Sequence, residues 1–190
     1  MTPGGAAIAN GARPLIVVAT EAEAAHVQPG LRLVITGVGK TAAAVATTQA
    51  ILGERPSEVI NVGSAGALRD GLTGVFEIGT VVNHDISGDA IRALGLDPRD
   101  VLELGPSPTV LATGDVFVSE RSVRERLSQR AHLVDMEGYA VAYAAISFGV
   151  PVRLVKHVSD NADETALEWV DAVAASARAV GDWLREAGGR

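Results

Sequence analysis

The sequence predicts an α/β fold in which helices cover both faces of a mostly parallel sheet. Short apolar runs rich in β-branched residues alternate along the chain with longer, alanine-rich segments of helical periodicity. This alternation is typical of βαβ units. Aromatic residues make up only 4% of the 190 residues, so small aliphatic side chains must fill the core, which lets helices pack closely on the sheet.

The short apolar runs predict the strands of this sheet. In chain order they cover Leu15–Ala19, Leu31–Thr36, Glu58–Val62, Ile78–His84, Thr109–Thr113, Leu133–Asp135 and Val152–Val158. The third run leads into Gly63-Ser64-Ala65-Gly66, which we interpret as a turn whose small residues let a ligand approach the backbone.

Helices are predicted between these strands. They cover Thr41–Leu52, Ser119–Gln129, Tyr139–Phe148 and Asp163–Glu186. The segment Asp85–Pro108, rich in Gly, Pro and Asp, is predicted to be a lid or a rim loop. The sequence has no internal repeat and no linker, which predicts a flexible tail over residues 1–13 and a single domain over residues 14–190.

Composition excludes several classes of function. A net charge of −7 argues against nucleic acid as a partner, and no apolar run reaches the roughly 18 residues that a membrane span requires. The sequence has no cysteine, which excludes disulfides and thiolate chemistry and is consistent with a reducing cytoplasm. The first residues lack the apolar core of a signal peptide, so we expect a cytoplasmic protein. The four histidines have no metal-ligand spacing, so neither a metal nor a cofactor is indicated.

The segment Gly37-Val38-Gly39-Lys40-Thr41 has the glycines of a phosphate loop but not its full pattern. The P-loop motif needs a Gly where the chain has Val34, and the dinucleotide motif needs one at Ala42. What remains is a tight strand-to-helix turn. Its backbone N–H groups either face a ligand or only start the helix, and the sequence leaves both possibilities open.

Carboxylates follow several of the predicted strands. Glu21 and Glu23 follow the first strand, Glu137 follows the strand ending at Asp135, and Asp160 follows the last strand. Each could be a helix cap instead. The strands before Glu137 and Asp160 are expected to be neighbours, and an open α/β sheet normally binds its ligand at strand carboxyl ends. Together with Thr36, Ser64 and Phe117, the acids indicate a site for a neutral polar ring.

Several segments together carry a family resemblance. In order they are ATEAEA (19–24), TGVGKTAAA (36–44), INVGSAGAL (60–68), ATGDVFV (112–118), VDMEGYAVA (134–142) and VSDNAD (158–163). On these the chain resembles the nucleoside phosphorylase/nucleosidase superfamily, most closely its methylthioadenosine/S-adenosylhomocysteine nucleosidases. The resemblance implies a three-layer α/β/α sandwich with a central mixed, mostly parallel twisted sheet. It also implies cleavage of the N-glycosidic bond of a purine nucleoside, without a cofactor.

The resemblance also implies roles for residues on the base side of the substrate. Asp160 would be the general acid at the purine N7. Phe117 would stack on the purine, and the backbone of Val118 would read its edge.

On the sugar side, Glu137 would hold the ribose hydroxyls while Met136 packs on the sugar. Glu23 would help to activate the attacking water, with Thr36 close to that water. The remaining substrate-binding residues implied by the resemblance are Ser64, Gly66, Ser159 and Lys156.

The attacking group separates two activities of the superfamily. Its phosphorylases have an Arg before the Gly-Ser-x-Gly segment to bind phosphate, and this chain has Asn61 there, as nucleosidases do. A neutral amide cannot neutralise phosphate as a guanidinium can, so we favour water.

Other positions depart from the family pattern. Lys156 replaces an Arg, Thr20 replaces a Met, Asp135 replaces a Glu, and the segment Asp85–Pro108 is shorter than usual. A phosphorylase, or a member that binds a nucleoside without cleaving it, are the alternatives. The family usually assembles, which implies a homodimer.

Overall fold

The computed structural model describes residues 13–163 and 169–187. The predicted flexible tail lies outside these residues, except for its last position, so it stays a prediction. Within the described residues, no helix is long and apolar enough to cross a membrane.

A mixed, mostly parallel sheet forms the centre of the molecule. In the described residues its nine strands are β1 Leu15–Val18, β2 Arg32–Ile35, β3 Val59–Ala67, β4 Val75–Glu77, β5 Thr80–Asn83, β6 Val101–Glu103, β7 Val110–Thr113, β8 Leu133–Asp135 and β9 Val152–Asp160. Parallel ladders join β1 to β2 and β3, β3 to β9, and β7 to β5 and β8, whereas β3–β8, β4–β9 and β5–β6 are antiparallel.

The helices pack on both faces of this sheet. Their bounds are α1 Glu21–Ala24, α2 Lys40–Glu54, α3 Gly88–Ala93, α4 Arg121–Ser128, α5 Gly138–Ser147 and α6 Trp169–Ala187. Along β1, Leu15 and Val17 pack under α2 and α5, whereas Ile16 and Val18 contact α6 on the other face. Successive side chains of a strand point to opposite faces, so β1 is covered on both sides. The predicted three-layer α/β/α sandwich is confirmed.

Two groups of strands meet with opposite directions at the centre of the sheet. β1, β2, β3 and β9 run one way, and β5, β7 and β8 run the other way. The only pairing between these groups at β3 and β8 is Gly66 with Val134 and Ala67 with Leu133. Because the overlap is so short, the carboxyl ends of both groups converge on this junction.

The junction corrects one prediction about the sheet. The strands that precede Glu137 and Asp160, β8 and β9, are not neighbours, because β3 lies between them. Gly66 of β3 is opposite Val134 on one edge and Asp160 on the other. The two acids therefore reach the same region across β3 rather than from adjacent strand ends.

A second correction concerns Gly63-Ser64-Ala65-Gly66. This segment is not a turn but the second half of β3, paired with β9 through Asp160. The small residues are needed for a different reason. A Cβ on Gly63 would lie 2.8 Å from Oε1 of Glu23, so the glycine leaves room for a side chain above the strand.

The segment Asp85–Pro108 is more regular than its composition predicts. It contains α3 and β6, and β6 pairs antiparallel with β5 at the edge of the sheet. The hydroxyl of Tyr139 donates a hydrogen bond to the carbonyl of Arg99 in this segment. The segment is thus bonded to α5 and to the sheet along much of its length.

Candidate active site

A cavity of about 240 Å³ opens at the junction of β3 and β8. Most of the site residues predicted from the sequence lie in its wall. They are Glu23, Ser64, Gly66, Phe117, Val118, Met136, Glu137, Ser159 and Asp160. The sheet therefore brings together acids that are far apart in the sequence.

Glu23 is fixed by the local structure at the start of α1. Thr20 caps this helix through the two reciprocal bonds of a capping box. The backbone N–H of Glu23 donates to the Thr20 hydroxyl, and the backbone N–H of Thr20 donates to Oε2 of the Glu23 carboxylate. The other carboxylate oxygen, Oε1, accepts hydrogen bonds from the backbone N–H and the hydroxyl of Ser64, both at 2.8 Å. Glu23 therefore both completes the capping box of α1 and is a buried acid in the cavity wall.

Asp160 ends β9 with both carboxylate oxygens bonded. The Ser159 hydroxyl donates to Oδ2 at 2.6 Å, and the N–H of Ala162 donates to Oδ1 at 2.8 Å. Ala162 adopts a left-handed backbone conformation with φ of 51°. A Cβ on Gly66 would lie 2.8 Å from the Cβ of Ala162 and 3.0 Å from Oδ1 of Asp160. The Asp160 turn therefore depends on a glycine in β3.

Glu137 lies at the N-cap of α5 and is almost completely buried. Its Oε1 accepts a hydrogen bond from the backbone N–H of Gly39 at 2.8 Å. Burial, and after it the nearby carboxylate of Asp135, raises the pKa of Glu137 to about 7 against the opposing effects of Lys156 and the Gly39 N–H. Glu137 therefore changes charge near neutral pH.

Lys156, which does not line the cavity, forms an ion pair with Asp135 of the cavity wall. Nζ of Lys156 lies 2.9 Å from Oδ2 of Asp135, and the two side chains are 2% and 1% exposed. Burial alone would lower the pKa of Lys156, but the carboxylates of Asp135 and Glu137 outweigh it and raise the pKa above the usual value. Asp135 also accepts bonds from Thr113 and from the N–H of Gly138. The charged form of Lys156 is thus stabilised in the core.

The structure does not place two predicted residues in the cavity wall. The hydroxyl of Thr36 donates to the carbonyl of Gly37 at 2.7 Å. Lys156 is bonded to Asp135 and does not itself line the cavity, so the predicted direct contact with a substrate does not fit its position. Asn61 is the residue by which the sequence favours a nucleosidase over a phosphorylase. It is 1% exposed, and its side-chain amide donates to the carbonyl of Val17 instead of facing the cavity.

Apolar side chains form the outer part of the cavity. Phe117, Val116 and Val38 line it and remain partly exposed at its mouth, at 46%, 59% and 59%. They come from the loops after β7 and β2. An apolar rim around buried acids suits a flat, largely apolar ring with a polar edge.

Sequence reasoning missed residues that organise this site. It noted Asp135 only as the end of a strand and a departure from the family pattern, and it did not single out Asp115 or Ala162. Asp115 could have been found, since it lies two residues after the end of β7 within ATGDVFV. The role of Ala162 depends on a left-handed backbone that no residue type signals. In the described residues, no group of three potential ligands is placed to hold a metal ion.

We expect Gly66→Ala to destabilise the protein by about 1–3 kcal/mol, because the added methyl group must displace Ala162 or Asp160. Gly53→Ala is the matched control. Gly53 lies within α2 with open space around its Cα, so alanine there should stabilise by about 0.5–1 kcal/mol. Urea unfolding measures both changes, and equal stabilities for the two variants would contradict the close approach at Gly66.

The raised pKa of Glu137 predicts how stability depends on pH. A folded-state pKa of about 7 against 4.5 unfolded means that Glu137 stabilises the protein below pH 4.5 and loses this contribution as pH rises through 7. Glu137→Gln does not titrate there. The variant should gain about 3 kcal/mol relative to wild type between pH 4.5 and 8. Urea unfolding across this range tests the expectation, which a pH-independent difference would refute.

Comparison with known proteins gives the family of the chain. The sequence model of the Phosphorylase superfamily matches residues 27–102 and 102–187. A 5′-methylthioadenosine/S-adenosylhomocysteine nucleosidase from Exiguobacterium is 32% identical over 157 residues, which cover 69% of this chain and 67% of that protein. An aminodeoxyfutalosine nucleosidase from Helicobacter pylori is 30% identical over 153 residues, 68% of this chain and 66% of that protein.

Solved structures have the same fold. The methylthioadenosine/S-adenosylhomocysteine nucleosidase of Helicobacter pylori superimposes with a TM-score of 0.82 at 23% identity, over 93% of this chain and 97% of that one. The futalosine hydrolase of the same organism gives a TM-score of 0.80 at 25% identity, over 91% and 95%. On the sequence match over most of its length, this chain belongs to the phosphorylase superfamily.

Proposed function

We propose that this protein is a purine nucleosidase, which hydrolyses the N-glycosidic bond of an adenosine-type nucleoside to free base and sugar. The observation that carries the proposal is the charge of the cavity. Its wall contains Glu23, Asp135, Glu137 and Asp160 and, among the described residues, no basic side chain. The nucleosidase names of the relatives in Exiguobacterium and Helicobacter pylori support the same reaction.

The cavity is suited to a reaction in which a neutral substrate acquires positive charge on its sugar. As the N-glycosidic bond breaks, its electron pair leaves with the purine and the sugar becomes an oxocarbenium-like cation. Carboxylates held in place before the reaction stabilise such a cation without reorganisation. Glu23 and Glu137, both buried and both bonded by backbone N–H groups, would act in this way.

Asp160 is proposed to be the general acid. It would donate a proton to N7 of the purine, so that the base leaves as a neutral molecule. The purine would stack on Phe117 beside the backbone of Val118, both of which line the cavity. The Ser159 hydroxyl and the Ala162 N–H hold the Asp160 carboxyl in a fixed position.

Water is the proposed attacking group, and Glu23 would accept its proton. A phosphate dianion would enter a cavity lined with carboxylates and would meet no cation from the described residues. Asn61 does not provide a hydrogen-bond donor for phosphate, since its amide is buried and donates to the carbonyl of Val17. Coulomb repulsion in a partly desolvated cavity therefore disfavours phosphorolysis.

The substituent at the 5′ position remains part of the proposal. The partly exposed Val38 and Val116 at the cavity mouth would favour an apolar group, and a 5′-thio substituent is the first to test.

The experiment for the proposal is a panel of purine nucleosides, including adenosine, methylthioadenosine and S-adenosylhomocysteine, incubated with and without phosphate. Chromatography should identify free adenine and the free sugar, at a rate that phosphate does not change. Phosphate-dependent formation of a sugar 1-phosphate would favour a phosphorylase. Tight binding without release of base over hours would favour a non-catalytic member of the family.

We expect Asp160→Asn to lower kcat by about 10²–10⁴-fold, because the amide cannot donate the proton that the leaving purine needs. The Asn oxygen can still accept the bond from the Ala162 N–H, and its NH2 group can donate to the Ser159 hydroxyl oxygen, so the unfolding free energy should change little. Asp70→Asn is the control, since Asp70 is an exposed carboxylate outside the cavity wall. Near-wild-type turnover by Asp160→Asn would refute the assignment.

We propose a cytoplasmic homodimer as the form in the cell. The absence of cysteine is consistent with the location. The assembly is supported by exposed apolar side chains on the edge strand β2 and on α2, namely Leu33, Ile35, Val45 and Leu52. Sedimentation equilibrium should give twice the mass of the chain, and a monomer at tens of micromolar would contradict the proposal.

A further inference from the structure

A cluster of charged side chains ties together three loops at the edge of the cavity. Nζ of Lys40, at the start of α2, forms an ion pair with Asp85, donates to Oδ1 of Asn83 at 2.9 Å and lies 3.8 Å from Oδ2 of Asp115. Asp85 follows β5 and Asp115 follows β7. None of the three charged side chains lines the cavity.

Backbone hydrogen bonds extend this cluster to the cavity wall. The N–H of Lys40 donates to Oδ1 of Asp115, and the N–H of Asp115 donates to Oδ2 of Asp85, both at 2.7 Å. The adjacent N–H of Gly39 donates to Oε1 of Glu137. Phe117 lies two residues after Asp115. The cluster therefore joins the loop that carries Phe117 to the carboxylate of Glu137 through two consecutive N–H groups, those of Gly39, the N-cap of α2, and of Lys40, its first residue.

We propose that Asp115, held by Lys40 and Asp85, is a positioning residue that sets the distance between the base-stacking loop and the sugar-holding carboxylate. The inference rests on the proposed function, since it assigns the two ends of the link to the base and the sugar of a nucleoside. A substrate that is bound at both its base and its sugar binds well only when the two binding groups have the correct separation.

The geometry distinguishes this cluster from an ordinary surface ion pair, which contributes little. The side chains of Lys40 and Asp85 are only 18% and 22% exposed, and that of Asp115, at 51%, is held by the backbone N–H of Lys40. Partial burial alone would raise the pKa of Asp85, but the bond from Lys40 and the N–H of Asp115 outweigh it and hold the pKa below its usual value. Gly39 has φ of 94°, and a Cβ there would lie 3.1 Å from Oδ1 of Asp115, so the turn is shaped to this carboxylate.

The test compares Asp115→Ala with Asp115→Asn. Alanine removes the acceptor for the Lys40 N–H, whereas asparagine keeps one. Asp115→Ala changes the separation of the groups that hold base and sugar but leaves the carboxylates of Glu137, Asp160 and Glu23 intact. We therefore expect it to raise KM about tenfold or more while kcat stays within about threefold. Asp115→Asn should restore KM to within about threefold of wild type. A merely structural role would lower the amount of folded enzyme and leave KM unchanged.

A second measurement does not depend on catalysis. Amide hydrogen exchange of the ligand-free protein, followed by NMR, should be faster in Asp115→Ala at Lys40 and also at Gly39, whose N–H is bonded to Glu137 and not to Asp115. Unchanged exchange at Gly39 would overturn the inference. If wild type failed to cleave any nucleoside, the proposed function would fall, yet the exchange experiment would still decide whether the link exists.

Glu77→Gln is the matched control for both measurements. Glu77 is a half-exposed carboxylate on β4, paired with Arg153 at 2.9 Å and outside the cavity wall. It should change neither KM nor the exchange at Gly39. An unchanged KM in Asp115→Ala, or the same rise in Glu77→Gln, would overturn the positioning role.

Discussion

The acidic cavity depends on one buried ion pair, between Lys156 and Asp135. An ammonium with 2% exposure is costly unless it is paired and hydrogen-bonded. Here the cost is offset because carboxylates surround it, with Asp135 at 2.9 Å and Glu137 and Glu23 contributing from further away. The reverse also holds, since the same cation lowers the cost of ionising Glu137 beside Asp135. Lys156 thus lets several acids share one small volume without direct access to the substrate.

The second constraint is the short junction of β3 and β8. Two groups of strands with opposite directions share only two residue pairs there, so the loops at both sets of carboxyl ends face one cavity. β3 must then pass close beneath two acids. Gly63 leaves space for Glu23, and Gly66 leaves space for Asp160 and Ala162. The glycines of this strand are small because they make room for side chains of other segments, and not because the chain turns there.

Local sequence patterns predicted the fold well, but they could not predict contacts between residues on different strands of the sheet. Local patterns placed β1, β7, β8 and the helices α2, α4 and α5 near their observed bounds, because each pattern reflects burial of that segment alone. They did not predict the short helices α1 and α3. Small residues in Gly63–Gly66 resemble a turn in sequence, and only pairing with β9 makes them a strand. Lys156 was placed against the substrate from the family pattern. Its pairing with Asp135 follows from register across three strands, which no local signal contains.

The acids of the cavity share one mode of support, which bears on how the proposed reaction could work. Glu23 accepts the N–H of Ser64, Glu137 that of Gly39 and Asp160 that of Ala162, each at 2.8 Å. A backbone donor cannot rotate away as a side chain can, so the carboxylates are oriented before the substrate arrives. The donors also favour the charged form, whereas burial favours the neutral form. At Glu137 burial prevails, which brings its pKa to about 7. The same buried position that lets this carboxylate stabilise a sugar cation therefore makes its charge sensitive to pH near neutrality.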